Sequence, residues 1–247
     1  MCALKLELIS FDLEGTVVDF QWNLDQAVEK SLEALERKKV SRDMFTDRHY
    51  ASIYNLMQKK QEEWGYADNS ITAVMDEIYD EFDLDAASRW KPAEDLYEAL
   101  QALSGCKKAL VTNIGRKGVA RALDQLGIEG EFDIIITRND VRMLKPEPEG
   151  LNKALSWAGV KRERAVHVGD SFSDLFAARG AGIRIVILLG GENSSQELLG
   201  ESPGDVIKSL SELPPLLAGM RCSIFTAVGT KLRAIDICFM ISYNFIQ

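Results

Sequence analysis

Histidine and cysteine are scarce in this 247-residue chain, with two and four copies, and neither falls at a spacing that holds a soft metal. Cys2, Cys106, Cys222 and Cys238 lie far apart, so they read as reduced thiols of a cytoplasmic protein, buried filler rather than a disulfide framework. Positive charge is short too. The 29 basic side chains face 38 acidic ones, and the net charge of -9 argues against a grip on nucleic acid or anionic lipid and for small-molecule chemistry. The Ile- and Phe-rich stretch from Ile224 to Ile246 is broken by Lys231, Arg233 and Asp236, so no membrane span is expected. A basic leader with an apolar segment and cleavage site is missing, as are repeats and low-complexity tracts, and no export signal is expected. What remains is a globular composition, 46% hydrophobic and 27% charged, enough for one large domain or two small ones.

Two kinds of periodicity divide the chain. An apolar strand pattern runs up to Phe11, and a long helical stretch follows where a parallel sheet would need a single crossover helix. Leu24, Val28, Leu32 and Leu35 form one stripe, Tyr50, Ile53, Tyr54 and Met57 a second, and Ile71, Val74, Ile78 and Phe82 a third. After Trp90-Lys91-Pro92, helices alternate with short apolar strands: Lys108 to Thr112, Ile134 to Thr137, Ala165 to Val168, Ile185 to Leu189 and Asp205 to Ile207. Gly127 and Gly159 stop two of the intervening helices. The expected fold is α/β, a doubly wound parallel sheet with a helical insertion. Residues 1–19 and 91–217 would form the core, 20–90 the insertion, and 218–247 an extension of unassigned role, with a contact between copies of the chain as one use.

Four polar clusters sit directly after four predicted strands: Asp12 to Thr16, Thr112-Asn113, Lys145-Pro146, and Gly169 to Asp174. Strands of an open parallel sheet end on one edge, so the clusters converge on the crevice where such folds bind ligands. Asp12, Glu14, Asp170 and Asp174 with one lysine carry too much negative charge to stand alone. Oxygen ligands without histidine or cysteine imply a hard divalent ion, and magnesium suits a site that also takes phosphate. A carboxylate attacks phosphorus to form an acyl phosphate, and a second carboxyl two residues on protonates the leaving oxygen and later activates water. Asp12 and Glu14 fit these roles, with Lys145 and the Thr112 hydroxyl to neutralise and position the phosphoryl group.

Phe11-Asp12-Leu13-Glu14-Gly15-Thr16-Val17, Val111-Thr112-Asn113, Leu144-Lys145-Pro146 and Gly169-Asp170-Ser171 resemble, in order, the four motifs of the haloacid dehalogenase superfamily. The helical insertion resembles the mobile cap of its phosphoglycolate-phosphatase-like branch. This resemblance implies strand order 5-4-1-2-3 and magnesium held by Asp12, the main-chain carbonyl of Glu14 and Asp170, with Asp174 assisting directly or through water. It also implies that Thr112, Asn113 and Lys145 hold the transferred group. Glu14 departs from the pattern, since most phosphatases of the superfamily carry aspartate there; the enolase-phosphatases resemble this chain in having Asp-x-Glu-Gly-Thr. Hydrolysis of a small phosphate monoester is the expected activity. Dehalogenase, phosphonatase or phosphomutase chemistry and a weakly catalytic binding module are the alternatives.

Plainer roles stand beside these. Asp174 also suits the first turn of a helix. His167, inside a strand, is expected to be a satisfied core histidine, His49 an exposed one, and Gly190-Gly191 a turn. Trp22, Arg42, Arg48, Lys59 and Arg89 are the candidates in the insertion for touching a substrate.

Overall fold

The computed structural model describes residues 6–66 and 70–220. Six parallel strands, β1 (Leu8–Phe11), β2 (Lys107–Val111), β3 (Ile134–Ile136), β4 (Ala165–Gly169), β5 (Arg184–Leu188) and β6 (Asp205–Ile207), form one sheet in the order β3-β2-β1-β4-β5-β6. This is the expected five-strand order with one strand added beyond β5. Each strand is a short apolar run because both faces are covered, and alternate side chains point opposite ways. Ile9, Phe11, Leu110 and Val168 join one apolar core, and Leu8, Ala109, Val111 and Ile187 join the other.

The first three of the four helices between β1 and β2 are α1 (Leu24–Arg37), α2 (Tyr50–Glu63) and α3 (Thr72–Ala87). The remaining helices are α4 (Leu96–Ala102), α5 (Arg116–Leu126), α6 (Glu149–Ala158), α7 (Phe172–Ala181), α8 (Ser195–Gly200) and α9 (Leu213–Met220). Leu100 of α4, Leu123 of α5 and Leu217 of α9 pack on the first face of the sheet, Leu155 of α6 and Ala178 of α7 on the second. Helices α5 and α6 end at Gly127 and Gly159, as their positions in the sequence indicate.

The inserted helices bury the first two expected stripes except for their leading residues, Leu24 and Tyr50, which are partly covered, but the third is rotated. Helix α3 buries Met75, Tyr79, Phe82, Asp83 and Ala86 and leaves Val74 and Ile78 partly covered. The reason is that α3 packs against α1 on one side and α5 on the other, so its buried face is wider than a single apolar stripe. That face includes charge. Arg138, 1% exposed on the turn after β3, bonds Asp83 at 2.8 Å, Asp76 at 2.9 Å and Asp80 at 2.5 Å, and also donates to the main-chain oxygen of Asn113 at 3.2 Å. A buried guanidinium satisfied by three carboxylates fixes α3 to the sheet.

The chain segments entering and leaving the helices are tied to each other. Val18 and Pro92 form a β-bridge, the Asp19 N–H donates to Lys91 O at 3.0 Å, and the Lys91 N–H donates back to Asp19 Oδ1 at 2.7 Å. Among the described residues no helix is long and apolar enough to cross a membrane. Cys106 is buried, its Sγ 3.5 Å from Leu6 O; Cys2, Cys222, Cys238 and the apolar stretch from Ile224, with any contact it makes between chain copies, lie outside the described residues.

Candidate active site

In-register pairing of β1 with β4, Phe11 opposite Val168, brings the residues after both strands side by side, and the Asp12 N–H continues the ladder to Val168 O at 2.9 Å. Lys145 sits between two carboxylates. Its Nζ lies 2.7 Å from Asp12 Oδ1 and 2.6 Å from Asp174 Oδ1. The Asp12 contact is an ion pair, and no other donor among the described residues reaches that buried oxygen. Burial lowers and the two aspartates raise the Lys145 ammonium, with a net rise, so it stays charged at every relevant pH. Burial and then the Asp174 charge push Asp12 up to about 6 against the pull of Lys145, which still leaves a carboxylate at neutral pH.

Asp174 is fully used. It stands third in α7 in a capping box with Ser171, and its Oδ2 accepts from the Ser171 hydroxyl at 2.6 Å and from the Ser171 and Asp170 N–H groups at 3.2 Å each. Oδ1 takes Lys145 and, at 2.9 Å, His167 Nε2. Burial works against ionisation, but Lys145 and His167 outweigh it and hold the carboxyl well below the usual range. His167 has no exposure and its other nitrogen meets Ser10 Oγ at 3.0 Å, the satisfied core histidine expected of its place in the strand.

Asp170, also fully buried, accepts from Thr16 Oγ1 at 3.1 Å and from the Glu192 N–H at 2.6 Å. Two glycines make room for it. A Cβ on Gly15, whose φ is +79°, would fall 2.2 Å from Asp170 Oδ2, and one on Gly191 would fall 1.9 Å from it. Gly190-Gly191 therefore does more than turn the chain: Gly191 lets the loop after β5 close on Asp170. Burial, then the charges of Asp174 and Asp12, raise the Asp170 carboxyl well above its ordinary value.

One oxygen from each of Asp12, Asp170 and Asp174 lies within 4.8 Å of the others. The donor set is all oxygen, Asp12 Oδ1 has no partner but Lys145 among the described residues, and burial and its neighbours push Asp170 toward protonation, so these residues fit a hard divalent cation. The Glu14 side chain stands apart from that group. Its Oε1 accepts from Trp90 Nε1 at 2.9 Å and from the Gln21 N–H at 2.7 Å. Burial pushes its carboxyl up to about 8 against those two bonds. One cavity is walled by Asp12, Glu14, Thr112 and Lys145, and from the inserted segment by Trp22 and Tyr50.

Asn113 uses its carboxamide on the protein itself. Oδ1 accepts from the Lys145 N–H at 2.9 Å, and Nδ2 donates to Lys145 O and Tyr50 Oη, both at 3.0 Å. Asn55 of α2 grips the preceding residue in the same way, accepting from the Leu144 N–H at 2.7 Å and donating to Leu144 O at 2.9 Å. Two carboxamides thus hold two consecutive peptide units beneath the lysine. Thr112 Oγ1 accepts from the Ile114 N–H at 3.2 Å.

His49 is half-buried rather than exposed, because its Nε2 meets Glu192 Oε1 at 3.1 Å across the two parts of the chain. The basic residues of the insertion are committed elsewhere: Arg42 to Glu29 and Glu36, Lys59 to Glu147, and Arg89 to Asp85. Arg48 is exposed and does not line the cavity, which leaves Trp22 alone of the five insertion candidates in the cavity wall. Sequence reasoning missed Asn55, Trp90, Arg138 and Gly191. Their partners are distant in sequence, and only the Gly-Gly pair left a local signal.

The model of the haloacid dehalogenase-like hydrolases matches residues 6–182. A phosphoglycolate phosphatase of Pseudomonas fluorescens (strain ATCC BAA-477) is 31% identical over 84% of this chain and 78% of its own. The pyrophosphatase PpaX of Bacillus cereus (strain AH820) is 26% identical over 89% of this chain and all of its own. A crystal structure described as a predicted phosphoglycolate phosphatase from Haemophilus somnus 129pt superposes with a TM-score of 0.60 at 23% identity, covering 85% of this chain and 97% of that one. Sheet order, strand-end motifs and a family match over most of the length agree: the chain belongs to the haloacid dehalogenase-like hydrolases.

Proposed function

We propose that this hydrolase releases phosphate from a small phosphate monoester, with Asp12 as nucleophile and Glu14 as acid and then base. The observation that carries this reading is the pair of buried carboxyl groups in one cavity, both raised by burial but to different degrees: Asp12, held back by the Lys145 ammonium at about 6, stays ionised at neutral pH, and Glu14, at about 8, favours its protonated form. Asp12 attacks phosphorus while the ester P–O bond breaks, and Glu14 gives its proton to the departing oxygen. Water then attacks the acyl phosphate on Asp12, Glu14 takes the proton, and phosphate leaves with both carboxyls restored. Lys145 offsets charge on the transferred group, and Asn113 acts through Lys145 by holding its main chain.

Asp12 and Asp170, with the Glu14 main-chain carbonyl and with Asp174 as support, would hold magnesium, which when bound supplies charge neutralisation at the phosphoryl oxygens. We read residues 20–90 as a cap over residues 1–19 and 91–217, supported by the side chains that both parts give to one cavity wall.

The test is phosphate release from phenyl phosphate by the full chain. Magnesium-dependent release, lost with a chelator and in a folded Asp12→Asn variant, supports the reading. Metal-independent turnover of a haloacid in place of phosphate release would overturn it.

A further inference from the structure

We infer that the substrate's leaving group is uncharged and carries a hydrogen-bond acceptor, as a small phosphorylated alcohol or polyol does, and that Trp22 reads that acceptor. The inference rests on the phosphatase reading above and deepens it to a substrate class.

Charge in the cavity excludes a second anion. Among its lining residues Lys145 is the sole lysine or arginine, and it already lies between Asp12 and Asp174. A divalent ion together with Lys145 would offset the three aspartates and leave no positive charge for a carboxylate or second phosphate on the leaving group. Such a group would instead face the Glu192 carboxyl and a Glu14 left as a carboxylate once its proton has gone to the departing oxygen, both of which line the same space. Desolvating an anion against carboxylates without a cation is costly. Of the basic candidates in the insertion, Arg42, Lys59 and Arg89 are paired elsewhere, and Arg48 does not line the cavity.

Hydrogen-bond donors, by contrast, are left over. Trp22 is 6% exposed, forms part of the cavity wall, and its indole Nε1–H has no acceptor among the described residues. A buried N–H without a partner is rare and loses its hydration for nothing unless a ligand supplies the acceptor. The Tyr50 hydroxyl, in the same wall, accepts from Asn113, and its own proton has no acceptor among the described residues. The Trp22 and Tyr50 rings lie 4.7 Å apart between centroids, so two orphan donors are mounted on one aromatic surface. An alcohol or ether oxygen on a short carbon chain satisfies both the donors and the apolar ring faces.

The experiment compares kcat/KM for near-isosteric esters with magnesium present: 2-hydroxyethyl phosphate, ethyl phosphate and 2-phosphoglycolate, with inorganic pyrophosphate alongside. The expected order places 2-hydroxyethyl phosphate at least about tenfold above 2-phosphoglycolate and pyrophosphate. Trp22→Phe keeps the ring and removes the donor, and is expected to shrink the ratio of 2-hydroxyethyl to ethyl phosphate about fivefold, the worth of one neutral hydrogen bond. Equal or better turnover of 2-phosphoglycolate or pyrophosphate overturns the inference while leaving a phosphatase. An unchanged ratio in Trp22→Phe overturns the role of Trp22. Failure of every ester, phenyl phosphate included, overturns the phosphatase reading and this inference with it.

Discussion

The indole of Trp90 donates to Glu14 Oε1 at 2.9 Å, a bond that links the end of the helical insertion to the first strand's polar cluster. Burial is the larger influence on Glu14 and pushes it up to about 8, while the bonds from Trp90 and Gln21 favour its charged form. A general acid works protonated, so turnover is expected to fall as pH rises through about 8. Trp90→Phe removes a bond to the charged form, raises the pKa further, and is expected to move the alkaline limb of the kcat profile up by about one unit. A limb that stays in place would show that Trp90 does not tune this carboxyl.

Asn55 reaches the site only through main chain, closing two bonds on Leu144 next to Lys145. Asn55→Ala leaves the buried Leu144 N–H without a partner, while the Leu144 carbonyl keeps the Glu147 N–H at 3.0 Å, and is expected to cost about 1–3 kcal/mol in urea unfolding. Because Lys145 is positioned rather than removed, kcat is expected to fall more than KM rises. Asn55→Asp sets a carboxylate oxygen against the Leu144 carbonyl and is expected to be worse than alanine on both measures.

Arg138 joins three aspartates of α3 to the core at 1% exposure. In Arg138→Met the fully buried Asp83 loses its counter-charge, and unfolding free energy is expected to drop by about 3–5 kcal/mol. Adding Asp83→Asn is expected to return part of the loss, because the amide oxygen still accepts from the Gly115 N–H that Asp83 binds at 2.8 Å. No recovery in the double variant would place the cost in lost packing instead.

Gly191→Ala would drive a methyl to 1.9 Å from Asp170 Oδ2, so the carboxylate or the loop must move. The magnesium concentration for half-maximal activity is expected to rise at least about tenfold. Gly130→Ala, with nothing within 4 Å of its added carbon, is the matched control and is expected to leave that concentration unchanged.

Strand positions were legible because a strand buried on both faces is a short unbroken apolar run, and the runs of β1, β2, β3 and β4 give way to the polar residues Asp12, Thr112, Thr137 and Asp170. Helix stops at Gly127 and Gly159 were legible for a local reason too. The Arg138 cluster was not: Asp76, Asp80 and Asp83 recur at helical spacing and read as a solvated face until a cation from a turn 55 residues beyond Asp83 meets them. Asn55 escaped for the same kind of reason, and Asn113, though named for the site, gave no sign of its grip on Lys145, since their partners are main-chain groups 89 and 32 residues away that leave no mark in composition. The shifted stripe of α3 follows from its second neighbour, α5, which no reading of α3 alone contains.

β1 is central in the sheet, yet Ser10 meets His167 across 157 residues. Asp12 therefore leaves the ribosome well ahead of Ala165, and its strand waits without its β4 neighbour until the intervening helices and strands have followed. Such long-range closure makes for slow folding and a late, all-at-once completion of the acidic cluster. A product truncated before Ala165 would carry β1 with an open hydrogen-bonding edge, a template for aggregation rather than a partly working enzyme.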